Sequence, residues 1–576
     1  MKRIGTFCMA VAMTFAAHAD TYDWTNGDGL PPGWGGDCLW SNKYNWDKVV
    51  TVPTSSDTVQ ISGNTALTPV IVDCNAEFFQ LKIGPNNGSE GHVSLSAGGS
   101  MKGFVGYDYQ YIGDRGTGHL VQTGGDYQTS SRSTILGNES TGVGFYSMSG
   151  GTHTDPWGAV IGNHGKGNLT LYGGTWSAAD NVTTLGNMPG STGIVKLYGG
   201  TFLLGGANSL RIGNQGCGEF IVDGGTLSFN RGCEVGYNNT TGPISKLHLL
   251  AGTVLFGDTN PNLYVGVYGK AEMKAKIPFP VGNFVIADQA NSHGFVEWDG
   301  CLTNKFKTNT HLVIGKGGRG ELVMDGGRMD GDGTRCRMTI RETQGAHGVL
   351  RGWGEVYYFI NESGNPPLVN NGQVIADGGG EDHDLKFTGF DHLNHFVLVY
   401  AKNTLANDNT NGWYARNGGR LLIPGVYVGG AGNCFWGEDS SFGALSMVNS
   451  VRVKIDAKYG VHTIFNVQVL APDRTDIPPL PNKGSPVGLW YVSFDRAGFP
   501  AMQISELEVR YDHVASRGAV PELYQYNPNT TEWVKLTVTA QPGHCVMATD
   551  FQLFNENNLG YIAAIKPQTS NLFYLK

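Results

Sequence analysis

GNLTLYGGT (167–175), GIVKLYGGT (193–201) and GEFIVDGGT (218–226) are three copies of one phrase. The template is glycine, any, apolar, any, apolar, any, then Gly-Gly-Thr. With the register set by the first glycine of the pair, the phrase recurs at Gly124, Gly150, Gly173, Gly199, Gly224, Gly300, Gly326, Gly354 and Gly378, with weaker copies at Ala97, Ala251 and Ala275. These twelve marks are spaced by roughly 25 residues, a period that signals a solenoid. A second phrase interleaves at the same period: Ile112-Gly113-Asp114, Leu136-Gly137-Asn138, Ile161-Gly162-Asn163, Leu185-Gly186-Asn187 and Ile212-Gly213-Asn214.

Inside each copy the apolar residues alternate, as in Leu169 and Leu171, Val195 and Leu197, Phe220 and Val222, and Leu322 and Met324. Alternation is the period of a strand with one buried face, and the flanking glycines supply the positive φ that tight corners need. The fold class read from this is all-β: a right-handed parallel β-helix of about twelve coils of roughly 25 residues. Stacking coils would align Thr152, Thr175, Thr201, Thr226 and Thr253 in one column, and Asp114, Asn138, Asn163, Asn187 and Asn214 in another. The second column is expected to form a hydrogen-bonded ladder.

The repeat, with its interleaved IGN, resembles the autotransporter-associated β-strand repeat of secreted bacterial surface proteins. Trp40-Ser41-Asn42, Asn45-Trp46-Asp47, Val52-Pro53-Thr54 and Asp57-Thr58-Val59 are similar to the opening motif that precedes such repeats. The resemblance covers residues 35 to 380 and implies a passenger-like, pectin-lyase-like β-helix with no fixed chemistry.

Working outward, residues 1–19 read as a secretory signal: Lys2 and Arg3, an apolar core, then Ala17-His18-Ala19. Residues 20–90 are expected to cap the open end of the coil, with Trp24, Trp34, Trp40 and Trp46 packing beneath the cap. The repeats occupy 91–385, an irregular β region with a proline-rich linker 386–485, and a C-terminal β-sandwich-like module 486–576, in which Trp490, Tyr524, Tyr526 and Trp533 read as core. No closing outer-membrane barrel is expected after the linker, and no later run reaches the length of a spanning helix. Eighty-six glycines and only 15% charged residues suit a turn-rich β protein, and a net charge of −9 argues against nucleic acid as a partner. Eight cysteines beyond the signal permit disulfides without fixing any pairing.

Chemistry is sparse. There is no nucleophile elbow, no HExxH and no P-loop. In a strand whose residues four and two before the first glycine point inward, those five, three and one before it point out. That places Lys274, Glu297, Asp299, Asp325 and Arg351 on neighbouring outer rows, a candidate catalytic set for an exported polysaccharide lyase or glycoside hydrolase. Asp330 and Asp332, in Asp330-Gly331-Asp332-Gly333, and Glu381 and Asp382, in Glu381-Asp382-His383-Asp384, are candidate metal ligands. Calcium is the only cofactor these spots suggest, and none is otherwise expected. The leading expectation is a secreted or cell-surface structural, adhesin-like protein of a bacterium, partnered by extracellular polysaccharide or a cell-surface component. The enzyme is the alternative.

Overall fold

The computed structural model describes residues 20–27, 36–104, 109–130, 132–178, 181–205, 209–256, 262–279, 282–306, 310–331, 336–343, 345–357, 368–370, 372–378, 383–388, 397–399, 412–416, 420–428, 433–436, 450–456, 461–469, 477–481, 484–496, 503–510, 519–541, 545–552, 554 and 558–567. The segment read as a signal, 1–19, lies outside them, as do Trp34, Asp332, Glu381 and Asp382. Among the described residues no helix is long and apolar enough to cross a membrane.

The chain winds into a parallel β-solenoid of about 10 turns, followed by an antiparallel region. Each turn contributes a strand to each of three faces. The first face stacks Glu90–Leu95, Thr117–Gln122, Val143–Met148, Lys166–Leu171 and Thr192–Leu197, all parallel. The second stacks Ser100–Gly103, Asp126–Gln128, Thr152–Asp155, Thr175–Ala178 and Thr201–Leu204. The third stacks Gln110–Ile112, Thr134–Leu136, Val160–Ile161, Thr183–Leu185 and Ser209–Ile212. The repeated phrase spans the first face and turns into the second.

Alternation decides what fills the interior. Leu169, Leu171, Val195, Leu197, Phe220 and Val222 are fully buried, while Asn168, Thr170 and Tyr172 between and beside them face out. Each such side chain contributes roughly 1.5–3 kcal/mol by leaving water. The corners explain the glycines. Gly200, second of its pair, has φ +73°, and a Cβ there would lie 2.4 Å from the carbonyl oxygen of Gly174 in the coil before. Successive corners nest too closely for a side chain.

Both expected columns form. Thr152, Thr175, Thr201, Thr226 and Thr253 are consecutive register partners. The side-chain amides of Asn138, Asn163, Asn187 and Asn214 each donate to the residue one coil earlier, ending on Asp114 Oδ1.

The parallel ladder already runs at the start of the chain, where Thr21–Asp23 pairs with Thr58–Ile61. Over it sit Trp24, Trp40 and Trp46, all buried, with Trp46 edge-on to Trp24 at 5.0 Å and to Trp40 at 4.9 Å. Asn45 is buried beside them, its amide accepting from Gly36 N and donating to Leu39 O. The aromatic opening motif thus seals an apolar end. At the far end, Arg420–Val428 pairs antiparallel with Val461–Val469, which continues through Gly484–Arg496 and Asn558–Pro567 to Glu522–Asn527. A second antiparallel set joins Ser450–Asp456, Gln503–Arg510 and Cys545–Ala548. Trp490 and Ile562 from the first set share one apolar cluster with Leu507, Val509 and Val546 from the second. Tyr524 is buried and Trp533 is half-covered, its indole donating to Pro479 O at 2.7 Å. Cys38, Cys74, Cys217 and Cys233 form no disulfide.

Candidate functional site

The outer rows of the later coils hold the acidic set where alternation puts it. Asp299 and Asp325 are register partners on adjacent strands, and Lys274 is the register partner of Glu297. The structure also supplies each carboxylate with a partner. Glu297 is ion-paired with Lys274, and Asp299 lies 2.9 Å from Lys276. Arg351 bridges two coils, its Nε 2.5 Å from Glu321 and its terminal nitrogen 3.8 Å from Asp377. Asp325 accepts from the indole of Trp353 at 3.0 Å. Opposite charges on neighbouring rungs are what a stacked sheet uses to hold its register. Two further outward positions beside Arg351, Val349 and Ile375, are fully buried, so this end of the face is covered.

Among the candidate metal ligands, Asp330 is buried and held by Arg328 at 3.2 Å, whose guanidinium also lies 3.4 Å over the Tyr357 ring and 3.5 Å from Glu355.

Two arrangements went unread in the sequence. The residue just before each glycine pair points outward at the corner between the first and second faces, and in consecutive coils this position holds Ser149, Tyr172, Tyr198 and Asp223. The two tyrosines stack at 5.5 Å with 15° between their planes, and remain 59% and 42% exposed. They stood in the quoted phrase itself, and their odd position before the glycines was the available signal.

The second arrangement lies near the start of the first face. Glu90 and His92 are on one strand and His119 is the register partner of His92 on the next. Their imidazoles stack in parallel at 4.3 Å, and Phe145, the following register position, stacks on His119 at 4.8 Å. Both Nε2 atoms face Glu90 Oε1, at 2.8 and 3.5 Å. Burial first, then the His92 ring, holds His119 below the usual imidazole range against the opposing pull of Glu90. The signal was a glutamate two before a histidine, with a second histidine one coil later. No protein-family model, curated protein or solved structure matches this chain.

Proposed function

We propose that this chain is a secreted, adhesin-like β-solenoid of the autotransporter-repeat type that binds extracellular polysaccharide on its outer corner without cleaving it. The observation that carries the reading is the exposed Tyr172–Tyr198 stack, two flat rings on adjacent rungs of a rigid ladder. Aromatic faces give sugar rings an apolar surface at low entropic cost, and Ser149 and Asp223 flank the pair with hydroxyl and carboxylate groups. Large exposed aromatics placed side by side otherwise cost solubility. The alternative, a lyase or hydrolase using Glu297, Asp299 and Asp325, is supported less well, because the carboxylates are committed to Lys274, Lys276 and Trp353.

The test is a polysaccharide array probed with the full chain, with and without calcium, scoring bound protein and new chain ends. Binding that is lost in the Tyr172→Ala/Tyr198→Ala double variant, with no new ends, supports the proposal. New ends that disappear in Asp299→Ala/Asp325→Ala would overturn it in favour of the enzyme.

A further inference from the structure

We infer that Glu90, His92 and His119 form a binding site for a divalent transition-metal ion of the zinc class, bridging two successive coils of the solenoid. The donor set is two imidazole nitrogens and one carboxylate oxygen, all lying within 4.8 Å of one another. Two histidines and a glutamate are a common zinc ligand set when a position is left open, and imidazole suits zinc, copper and nickel rather than calcium.

The surroundings fix the ligands before any ion arrives. The backbone of His92 is pinned by Asn64, whose side chain accepts from His92 N and donates to His92 O, both at 2.8 Å. It caps His92 just ahead of the parallel pairing that Val70–Val72 makes with Val93, Ser94 and Leu95 of the same strand. The ring of His119 is clamped between His92 and Phe145, so neither imidazole has to be ordered on binding. Glu90 is the accessible member, with 57% of its side chain exposed, and leaves room for water at the open position.

Bond lengths of about 2.0–2.1 Å set tetrahedral ligand atoms roughly 3.3 Å apart. The 2.8 Å His92–Glu90 separation therefore opens slightly, the 3.5 Å His119–Glu90 separation scarcely changes, and the two imidazoles, parallel without the ion, tilt so that their in-plane lone pairs converge on it. The ion takes the lone pair of each Nε2, so in the bound form each neutral ring carries its proton on Nδ1.

Ligands from two coils also make the ion a clip. Glu90 and His92 belong to one turn and His119 to the next, so binding ties neighbouring rungs close to the end of the coil, where fraying starts.

The test uses the full, untagged chain in equilibrium dialysis against zinc, with cobalt as a spectroscopic probe and melting followed in parallel. The expected result is saturable zinc binding, a tetrahedral cobalt absorption band and a raised Tm. His119→Phe, which repeats the side chain that the next coil already carries at this position, should keep the fold. It should weaken zinc binding by more than about tenfold and abolish the cobalt band, since even outer-shell losses cost roughly that much. Glu90→Gln, at an exposed position, should weaken it in the same direction. No zinc binding by the native chain, or binding and a cobalt band that persist in both variants, would overturn the inference.

Discussion

The side-chain amide of Asn163 donates to Oδ1 of Asn138 at 3.0 Å while its own Oδ1 accepts from Asn187 at 2.8 Å. Asn163 is therefore an interior link of a chain that crosses five coils. Asn163→Ala removes one donor and one acceptor from half-buried neighbours and should cost about 1–2 kcal/mol. Asn163→Asp keeps the acceptor for Asn187 but places a lone-pair acceptor against Asn138 Oδ1, and should be at least as destabilising. Thermal melting of the two variants beside the native chain measures both.

The corner glycines divide into two kinds. Gly162 has φ +74°, and a Cβ there would fall 2.1 Å from the carbonyl oxygen of Thr192 in the next coil. Gly63 has φ +78° with nothing within 4 Å. Gly63→Ala should cost only the backbone strain, on the order of 1 kcal/mol. Gly162→Ala must also push two rungs apart, and should lower Tm several times as far or prevent folding. Equal effects from the two would mean that rung spacing is not the constraint.

Inside the coil, two buried titratable groups pull stability in opposite directions with pH. Burial holds the Asp155 carboxyl up at about 7 against an ordinary 3.8, although it accepts from Thr134 N at 2.6 Å. Burial holds the His153 imidazole down at about 3 against an ordinary 6.5, stacked 3.7 Å from Trp176. For Asp155 the unfolded chain loses its proton first, so this contribution is full at low pH and is lost as pH rises from about 4 to about 7. For His153 the unfolded chain gains a proton first, so stability is lost as pH falls from about 6.5 to about 3. Asp155→Asn should thus show a Tm that climbs over that acidic range, and His153→Phe a Tm that declines across it. Parallel slopes in the two variants would show that the groups do not titrate as assigned.

The charge ladder makes a graded prediction. Lys274 and Glu297 are 28% and 35% exposed, so Lys274→Met should cost under about 1 kcal/mol and less in high salt. Arg351 faces two better-shielded carboxylates, Glu321 at 17% and Asp377 at 12% exposure. Arg351→Met leaves both without that cation on adjacent rungs and should cost more, on the order of 1–3 kcal/mol. Urea titrations at two salt concentrations separate the cases: only the Lys274 effect should fade with salt.

Much of this architecture was legible because its causes are local. The period of Leu169 and Leu171 states which face is buried, and Gly173-Gly174 states where the chain turns; neither needs knowledge of a distant residue. The Asn column was legible for the same reason, since like residues at one period must stack. What escaped was much of the contact between unlike residues one coil apart. Alternation put Glu297, Asp299 and Asp325 outside with Lys274 on a neighbouring row, yet did not single out Lys276 or show that the Trp353 indole would reach Asp325. It placed Val349 and Ile375 on outward rows, where packing from elsewhere buries them. The Glu90, His92 and His119 cluster stayed hidden because it precedes the clearest copies of the phrase, and because its column holds only two histidines before Phe145 takes the position.

The Thr152, Thr175, Thr201 and Thr226 column carries one more consequence. Because equivalent atoms recur with each circuit, the segment between two such threonines can be removed or duplicated and the cut ends still meet a matching partner above and below. Loss of a single residue within a strand would instead exchange its buried and outward side chains. Changes in this chain's length are tolerated in whole circuits, so the reach of the molecule is a quantised property, set by how many times one sentence is spoken.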